Sequence, residues 1–462
     1  MIGVIALREI QENVLSLRFA LMCVAVIGSF VVGGISQVSD FKQRSGQYLD
    51  GRSRNERALA DASSRLSNLL VHEQIIEAGP SELMFVSRGD MGAGGISLAV
   101  SPSGLYGLGG SSSKARRDFA GAGWTLDWEF IITRMLTFLA VLVTYAGLTG
   151  EKERGTLRLI GSSPVRRSHV FLGKFLGSFS TVLIPLGAGC LACLAIVSLT
   201  QGLSGPSAWG RVGLIFVISA VFLALWVALG LTASGLCRGS SSSLVLLMFV
   251  WLLFCIVIPQ CGEIVSSIAS KVPTPRVAAL RAGDAIEAVE ERHSDENWGS
   301  VNFNEPWSPQ TALWVEVQNE MSEAAEKVYR EYGRASIKQA RFAQSVELLS
   351  PVGLFVGSLR TITGSGLDSL ERFLEALEIY QRQLVSFIKQ KDAEDPDTPN
   401  LLHEYFMSGE PVDPQSVPRF SMPGRGSRAA LTDASGYAGG LLISWAALFV
   451  LGLLLYGRYD MR

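Results

Sequence analysis

The chain has 462 residues, of which 48% are hydrophobic and 18% are charged, and its formal net charge is −2. About a quarter of the residues of a typical soluble domain are charged, so this composition, with its apolar residues gathered in long blocks, excludes an ordinary soluble protein. The near-neutral charge provides no basic surface, and we expect no nucleic-acid partner. All six cysteines lie in or beside the apolar blocks, which excludes a disulfide framework in the polar regions.

Residues 5–17 are predicted to form an amphipathic helix on the membrane surface. Six stretches beyond them are long and apolar enough to cross a lipid bilayer, which needs about 20 helical residues. Because every backbone polar group must be hydrogen-bonded within such a segment, these stretches are predicted to be helices. They are residues 19–37, 131–149, 175–199, 212–237, 239–262 and 437–457, and only the second contains a charge.

That charge is Arg134, and two interpretations of it stay open. It lies near one end of its span, where a long side chain can reach the lipid headgroups at a cost well below the roughly 2.5–3.5 kcal/mol of a charge at mid-membrane. The alternative is a functional arginine inside the membrane.

Lysine and arginine concentrate in short cytoplasmic loops, and residues 151–174 carry six of them. With six crossings, this loop and both termini are predicted to be cytoplasmic. We predict an all-α polytopic membrane protein with six transmembrane helices and mainly helical extracytoplasmic insertions. Its parts are 1–37 (surface helix and first span), 38–130 (first extracytoplasmic region), 131–262 (spans two to five with the loop 150–174), 263–436 (second extracytoplasmic region) and 437–462 (last span and tail).

In the first extracytoplasmic region, residues 41–78 favour helix, SELMFVSRG (81–89) is predicted to be a short strand, and 89–123 a Gly- and Ser-rich loop. In the second, apolar residues recur every three or four positions over 313–335 and over 370–388, which predicts two long helices. Their apolar stripes either pack against each other or bind a hydrophobic cargo. Residues 391–428 are predicted to be a linker.

The sequence contains no G-x-x-x-x-G-K-[ST], no H-E-x-x-H and no G-x-S-x-G, and its four histidines are scattered. We therefore expect no catalysis, no cofactor and no metal site in this chain.

Residues 150–177 are the most informative segment. Gly155 is predicted to end the helix that carries Glu151 and Glu153. Thr156 would then cap a short helix that Ser163 and Pro164 end. The next helix would begin at Arg166 and Arg167 and present Gly173 and Gly177 as a small-residue packing face. Composition alone leaves open a charged helix parallel to the membrane and an ordinary basic loop that only sets topology.

The pattern E-x-E-x-G-T-L, followed by S-P-x-x-R and G-K, resembles the cytoplasmic segment of ATP-binding-cassette (ABC) exporter permeases of the type 2 class. The matching residues are Glu151, Glu153, Gly155, Thr156, Leu157, Ser163, Pro164, Arg167, Gly173 and Lys174. The surface helix and the order of the six spans also resemble this family, and the large insertions resemble a bacterial subgroup of it.

The resemblance implies a permease subunit of an ATP-driven exporter in the bacterial plasma (inner) membrane. ATP and Mg²⁺ would then bind to a separate ATPase subunit that docks on this segment. A second permease subunit, most simply an identical copy, is implied because six helices make one half of such a transporter. The residues implied in coupling are Glu151, Glu153, Arg154, Gly155, Thr156, Ser163, Pro164, Arg167 and Lys174.

Two other classes of function stay open. The insertions could make the chain a membrane-anchored sensor or scaffold, although such proteins usually carry a cytoplasmic output domain. An intramembrane enzyme would need polar catalytic residues within the spans, and five spans carry no charge. The sequence does not indicate the cargo.

Overall fold

A computed structural model of the chain describes residues 2–89, 97–102, 104–106, 126–155, 166–200, 202–203, 205–299, 301, 308–422 and 427–458. Six helices in these ranges are long and apolar enough to cross a membrane, which confirms the predicted all-α polytopic architecture. The spanning helices are α2 (Leu17–Ala62), α4 (Trp128–Glu153), α5 (Arg167–Thr200), α6 (Pro206–Leu236), α7 (Ser240–Ala269) and α12 (Ser427–Arg458). The other helices are α1 (Ile2–Val14), α3 (Leu66–Val71), α8 (Pro275–Arg292), α9 (Pro309–Glu347), α10 (Pro351–Thr363) and α11 (Leu367–Ala393).

The first spanning helix continues far beyond its apolar part. Ser16 caps α2 by accepting a hydrogen bond from the Phe19 N–H, and the helix then runs for 46 residues. At 1.5 Å per residue this is about 69 Å, more than twice the thickness of a hydrocarbon core. The charged residues after position 39 therefore continue the same helix, and the boundary between span and insertion at residue 38 falls within it.

Two spanning helices contain a π-helical segment. In α4 this segment is Ile131–Leu136, followed by Thr137–Thr144 and, after a turn, by Thr149–Glu153. In α7 the π-helical segment is Leu253–Val257, between Ser240–Leu252 and Ile258–Ala269. Such segments often mark functional positions in a helix.

The core of the helix bundle is built around α6. This helix is apolar along most of its length, and its large side chains Phe222, Leu225 and Trp226 are almost fully buried. Small residues allow the close approaches, as is usual between membrane helices. A Cβ atom added at Gly230 would lie 1.9 Å from Thr144 Oγ1, so α4 and α6 touch at this point.

The two ends of the bundle differ. We call the end from which residues 154–166 leave α4 and return to α5 the loop end, and the opposite end the insertion end. At the insertion end a three-stranded antiparallel sheet forms from β1 (Gln74–Glu77), β2 (Ser97–Ser101) and β3 (Gly104–Tyr106), in the order β1-β2-β3.

The two insertions share one apolar core. Leu66, Leu69 and Ile76 of the first insertion pack in the same cluster as Phe373 and Leu384 of α11. We call this shared structure the insertion unit. Residues that are far apart in the chain are therefore held together outside the spans, which the division into two separate regions did not anticipate.

Two expectations about the insertions were wrong, and a third was incomplete. Residues 82–86, predicted as part of a strand, form turns, and Leu83 and Val86 are fully buried in the bundle core rather than paired in the sheet. The Gly- and Ser-rich stretch contains strands β2 and β3, although residues 107–125 lie outside the described part. The predicted linker is folded onto the insertion unit, where Val412 N–H donates to Ser63 O at 2.9 Å and Val417 is buried.

The two amphipathic helices exist, but their stripes do not pack mainly on each other. In α9, Val317 and Met321 pack with Val289 of α8. In α11, Leu377 and Tyr380 instead face the insertion unit. Each stripe therefore has its own partner within the described residues.

The contact between α4 and α6 leads to a prediction about stability. We expect Gly230→Ala to lower the melting temperature of the purified protein by several degrees, because its Cβ would overlap Thr144. Helix propensity alone would favour alanine by about 1 kcal/mol. Gly213→Ala is the matched control on the same helix, since a Cβ there meets nothing within 4 Å. Equal melting temperatures for the two variants would contradict the packing described.

Candidate functional site

The loop end brings together the two ends of the segment 150–177, namely its first residues in α4 and its last residues in α5. The last turn of α4 ends at Glu153, Arg154 follows, and Gly155 has φ +72°, a left-handed conformation that favours glycine. This confirms the prediction that Gly155 ends the helix. The described chain resumes at Arg166, and α5 begins at Arg167, also as predicted. Thr156, Leu157, Ser163, Pro164 and the predicted short helix lie outside the described residues.

A buried lysine links three helices. Lys174 Nζ of α5 lies 2.8 Å from Glu151 Oε1 of α4 and 3.1 Å from Glu9 Oε2 of α1. The Lys174 side chain is only 6% exposed. A cation out of water has to be compensated by nearby opposite charge, and two carboxylates from different helices provide it here. Burial raises the pKa of Glu9 in spite of the neighbouring ammonium.

Two glycines make this arrangement possible. A Cβ at Gly173 would lie 2.7 Å from Ile5 Cβ, and one at Gly177 would lie 2.6 Å from Glu9 Cβ. The predicted small-residue face of α5 is therefore the surface on which α1 lies. Because α1 approaches so closely, Glu9 reaches the lysine that lies between the two glycines.

Lys152 and Glu153 cap the hairpin formed by α6 and α7. Lys152 Nζ donates to Gly235 O at 3.1 Å and to Cys237 O at 2.8 Å, at the carboxyl end of α6. Glu153 Oε1 accepts from the Ser240 N–H at 2.6 Å, at the amino end of α7. A cation at a helix C-terminus and an anion at a helix N-terminus both compensate the helix dipole. The last turn of α4 thus holds two other spans by their ends.

The α-helix of α4 is interrupted between Thr144 and Thr149, and a serine of α6 forms hydrogen bonds with the backbone there. Ser234 Oγ accepts from the Leu148 N–H at 3.1 Å and the Thr149 N–H at 3.2 Å, and donates to Tyr145 O at 3.0 Å. The backbone groups that the turn leaves without helical partners are therefore hydrogen-bonded. This fixes the last turn of α4 to α6.

The remaining spans are tied to the same region. Arg167 Nη1 donates to Gly457 O at 3.2 Å, at the end of α12. Arg18 Nη1, at the start of α2, donates to the Tyr145 hydroxyl at 2.6 Å. Through these bonds the last turns of α4 and the first turns of α5 contact the other four spanning helices, α2, α6, α7 and α12. The side chain of Arg154, by contrast, is exposed, and within the described ranges only its backbone N–H is hydrogen-bonded, to Gly150 O at 3.1 Å.

The comparison with known proteins decides the family. A family model described as "ABC-2 family transporter protein" matches residues 4–461. This chain belongs to the ABC-2 transporter family. The match covers nearly the whole chain, and it confirms the resemblance to ABC transporter permeases that the residues after the second span indicate.

Two known proteins are similar in sequence to part of this ABC-2 chain. Over 129 residues it is 36% identical to the "Probable ABC transporter permease protein NosY" of Pseudomonas aeruginosa, covering 27% of this chain and 47% of that protein. Over 133 residues it is 35% identical to the protein of the same name from Stutzerimonas stutzeri, covering 28% and 46%. The matched region spans less than half the length of each relative.

Sequence reasoning missed several residues of this site in the ABC-2 chain, namely Glu9, Lys152, Ser234 and Ser240. A signal for Glu9 is present, because it follows Ile2, Ile5 and Ala6 at seven, four and three residues and so lies on the apolar face of α1. A carboxylate on the packing face of a helix requires a buried partner. In the described ranges, no three His, Cys, Asp or Glu side chains are grouped to hold a metal ion, and the absence of a metal site stays a prediction.

The contact between α1 and α5 can be tested by substitution. We expect Gly177→Leu to displace α1, because even its Cβ would overlap Glu9, and thereby to expose the N-terminal residues to protease. The matched control is Gly187→Leu on the same helix, where a Cβ meets nothing within 4 Å. Limited proteolysis of both purified variants provides the measurement. Identical cleavage near residue 15 in the two variants would contradict the contact.

Proposed function

We propose that this chain is the permease subunit of an ATP-driven exporter, and that residues 150–174 couple it to a separate ATPase subunit. The observation that carries the proposal is the set of bonds at the loop end. A loop that only sets topology needs basic residues facing water. Here Lys152, Glu153 and Arg167 are instead bonded to the ends of other helices. Lys174 is bonded to the carboxylates of Glu9 and Glu151.

These hydrogen bonds and ion pairs would transmit a movement of the segment to other helices. A push on the segment by an ATPase would move the last turn of α4. Lys152 and Glu153 would carry that displacement to the hairpin of α6 and α7, and the Lys174 cluster would carry it to α5 and α1. Hydrogen bonds that involve a charged group are stronger than those between neutral groups, so several together would resist separation when the loop is displaced.

The nucleotide chemistry is assigned to the partner. The sequence has no G-x-x-x-x-G-K-[ST] loop to hold phosphates, so ATP and Mg²⁺ would bind to the ATPase subunit alone. ATP-driven closure of two such subunits would push two copies of the segment and rearrange the spans. Cargo would then be released at the insertion end.

We also propose a dimer in the bacterial plasma (inner) membrane with both termini and the loop end in the cytoplasm. The orientation rests on the lysines and arginines of residues 151–174. The dimer is proposed because six helices make one half of such a transporter, so a second half is needed. Only 17% of the residues in the apolar stretch of α7 and 11% of those in α12 are buried. This leaves apolar surface for lipid and for a second permease subunit.

Arg154 tests the docking of the ATPase, because it is exposed on the segment. We expect Arg154→Glu to remove most of the ABC ATPase, and its ATP hydrolysis, that co-purifies with the tagged protein from host membranes in mild detergent. The control is Arg57→Glu, an exposed arginine on the far part of α2 at the insertion end, which we expect to retain the ATPase.

The opposite result has a clear meaning. If Arg154→Glu retains as much ATPase as Arg57→Glu, the segment is not the docking surface. If no ATPase accompanies even the unmodified protein, the insertion unit as the binding part of a sensor or scaffold becomes the better explanation.

A further inference from the structure

The insertion-end part of α4 and α7 contains a second polar site, distinct from the loop end. The two π-helical segments face each other there. Cys255 Sγ of α7 donates to Thr133 O of α4 at 3.3 Å, and Trp251 Nε1 donates to Thr137 Oγ1 at 2.9 Å. Arg134 lies on the same π-helical segment as Thr133, with its guanidinium in contact with Cys255.

Arg134 is the unusual member of this group. It is the seventh residue of α4, about 9 Å along the helix axis from Trp128. Its Nη1 atom is buried without a hydrogen-bond partner among the described residues. An unsatisfied donor on a charged group is costly in an apolar environment, and an ionisable residue within a span usually marks a functional site.

The acidic residues closest in sequence are engaged elsewhere. Glu129 Oε1 accepts from Arg360 Nη2 of α10 at 3.0 Å, and Glu129 Oε2 accepts from the Ser87 hydroxyl. Asp127 Oδ1 accepts from the Phe130 N–H at 2.9 Å and caps the start of α4. Neither carboxylate forms an ion pair with Arg134. The Nη1 donor of the guanidinium therefore stays unused by the described residues.

The surroundings indicate the source of an anion that could use this donor. On α7, Phe249, Leu252 and Ile256 are 63%, 45% and 41% exposed. These side chains present an apolar surface to the bilayer beside the polar site. A molecule with an anionic head and an apolar tail fits both features, with its head at Arg134 and its tail along α7.

We propose that Arg134, with Thr137 and Trp251 beside it, binds the phosphate of an anionic amphiphile in the membrane leaflet at the insertion end. The planar guanidinium suits phosphate oxygens because it offers two parallel N–H donors. A lipid of the bilayer and a soluble phosphate share this chemistry. We commit to the lipid because the apolar face of α7 adjoins the site.

Native mass spectrometry of the purified, delipidated full-length chain tests this site. Phosphatidylglycerol and phosphatidylcholine are titrated separately into wild type, Arg134→Gln, Arg134→Lys and Arg211→Gln. Arg211 is the matched control, an arginine near the insertion end of α6. We expect Arg134→Gln to weaken phosphatidylglycerol binding about tenfold, as loss of a charge-assisted hydrogen bond does. Arg134→Lys should weaken it less, and Arg211→Gln should not change it.

Three outcomes would overturn the proposal. One is equal phosphatidylglycerol affinity in Arg134→Gln and wild type, and another is equal affinity of wild type for the two lipids. The third is displacement of phosphatidylglycerol by millimolar inorganic phosphate, which would assign the site to a soluble anion instead of a lipid.

A second measurement does not depend on the folding of the arginine variants. In reconstituted vesicles, brominated phosphatidylglycerol should quench tryptophan fluorescence more than brominated phosphatidylcholine does. The excess should disappear in Trp251→Phe, because Trp251 is bonded to Thr137 within the site. An excess that persists in Trp251→Phe, or no excess in wild type, would contradict the proposed location.

Discussion

The burial of one ammonium group at the loop end constrains the rest of this structure. Lys174 is enclosed by α1, α4 and α5, and it can stay charged there only because Glu9 and Glu151 lie beside it. That requirement fixes the distance between the end of α4 and the start of α5. It also explains why glycines flank the lysine, since any side chain at Gly173 or Gly177 would separate α1 from α5.

The same principle recurs at both ends of the bundle. At the loop end, charged side chains are bonded to the exposed backbone groups of helix ends, as Lys152 and Glu153 show. At the insertion end, Glu129 of α4 pairs with Arg360 of α10. Ser350, which caps the start of α10, donates from its Oγ to Phe254 O of α7 at 3.2 Å. Between these polar layers the helices meet through glycines and apolar side chains. The two polar ends are therefore joined by closely packed helices.

Hydropathy was sufficient to predict the six spans, because a stretch of about 20 apolar residues has few alternatives in a bilayer. It could not predict where the helices end. The charged half of α2 is helical, as predicted for residues 41–78, but hydropathy did not show that it continues the first span. Residues 82–86 have the composition of a strand, yet the bundle core buries Leu83 and Val86 in turns. At residues 82–86 tertiary packing decided the outcome, and local sequence does not contain it.

The candidate site was predictable in part for a similar reason. Gly155 and the two helix boundaries follow from local rules, and the motif pointed to Glu151, Glu153, Arg167 and Lys174. Their partners did not follow, because Glu9 and Ser240 come from distant parts of the chain. Pairs of this kind depend on the arrangement of helices, which a single sequence does not specify.

A double-mutant cycle on Glu151 and Lys174 tests the central claim most directly. Glu151→Gln, Lys174→Met and the double variant are compared with wild type by unfolding of the purified full-length chain. Contacting charged groups show interaction energies of about 0.5–3 kcal/mol. We expect a value of roughly 2 kcal/mol, because Lys174 is buried and Glu151 lies 2.8 Å from it. Effects that add within about 0.5 kcal/mol would show that the two residues are not coupled, and the loop end would lose the link on which this account depends.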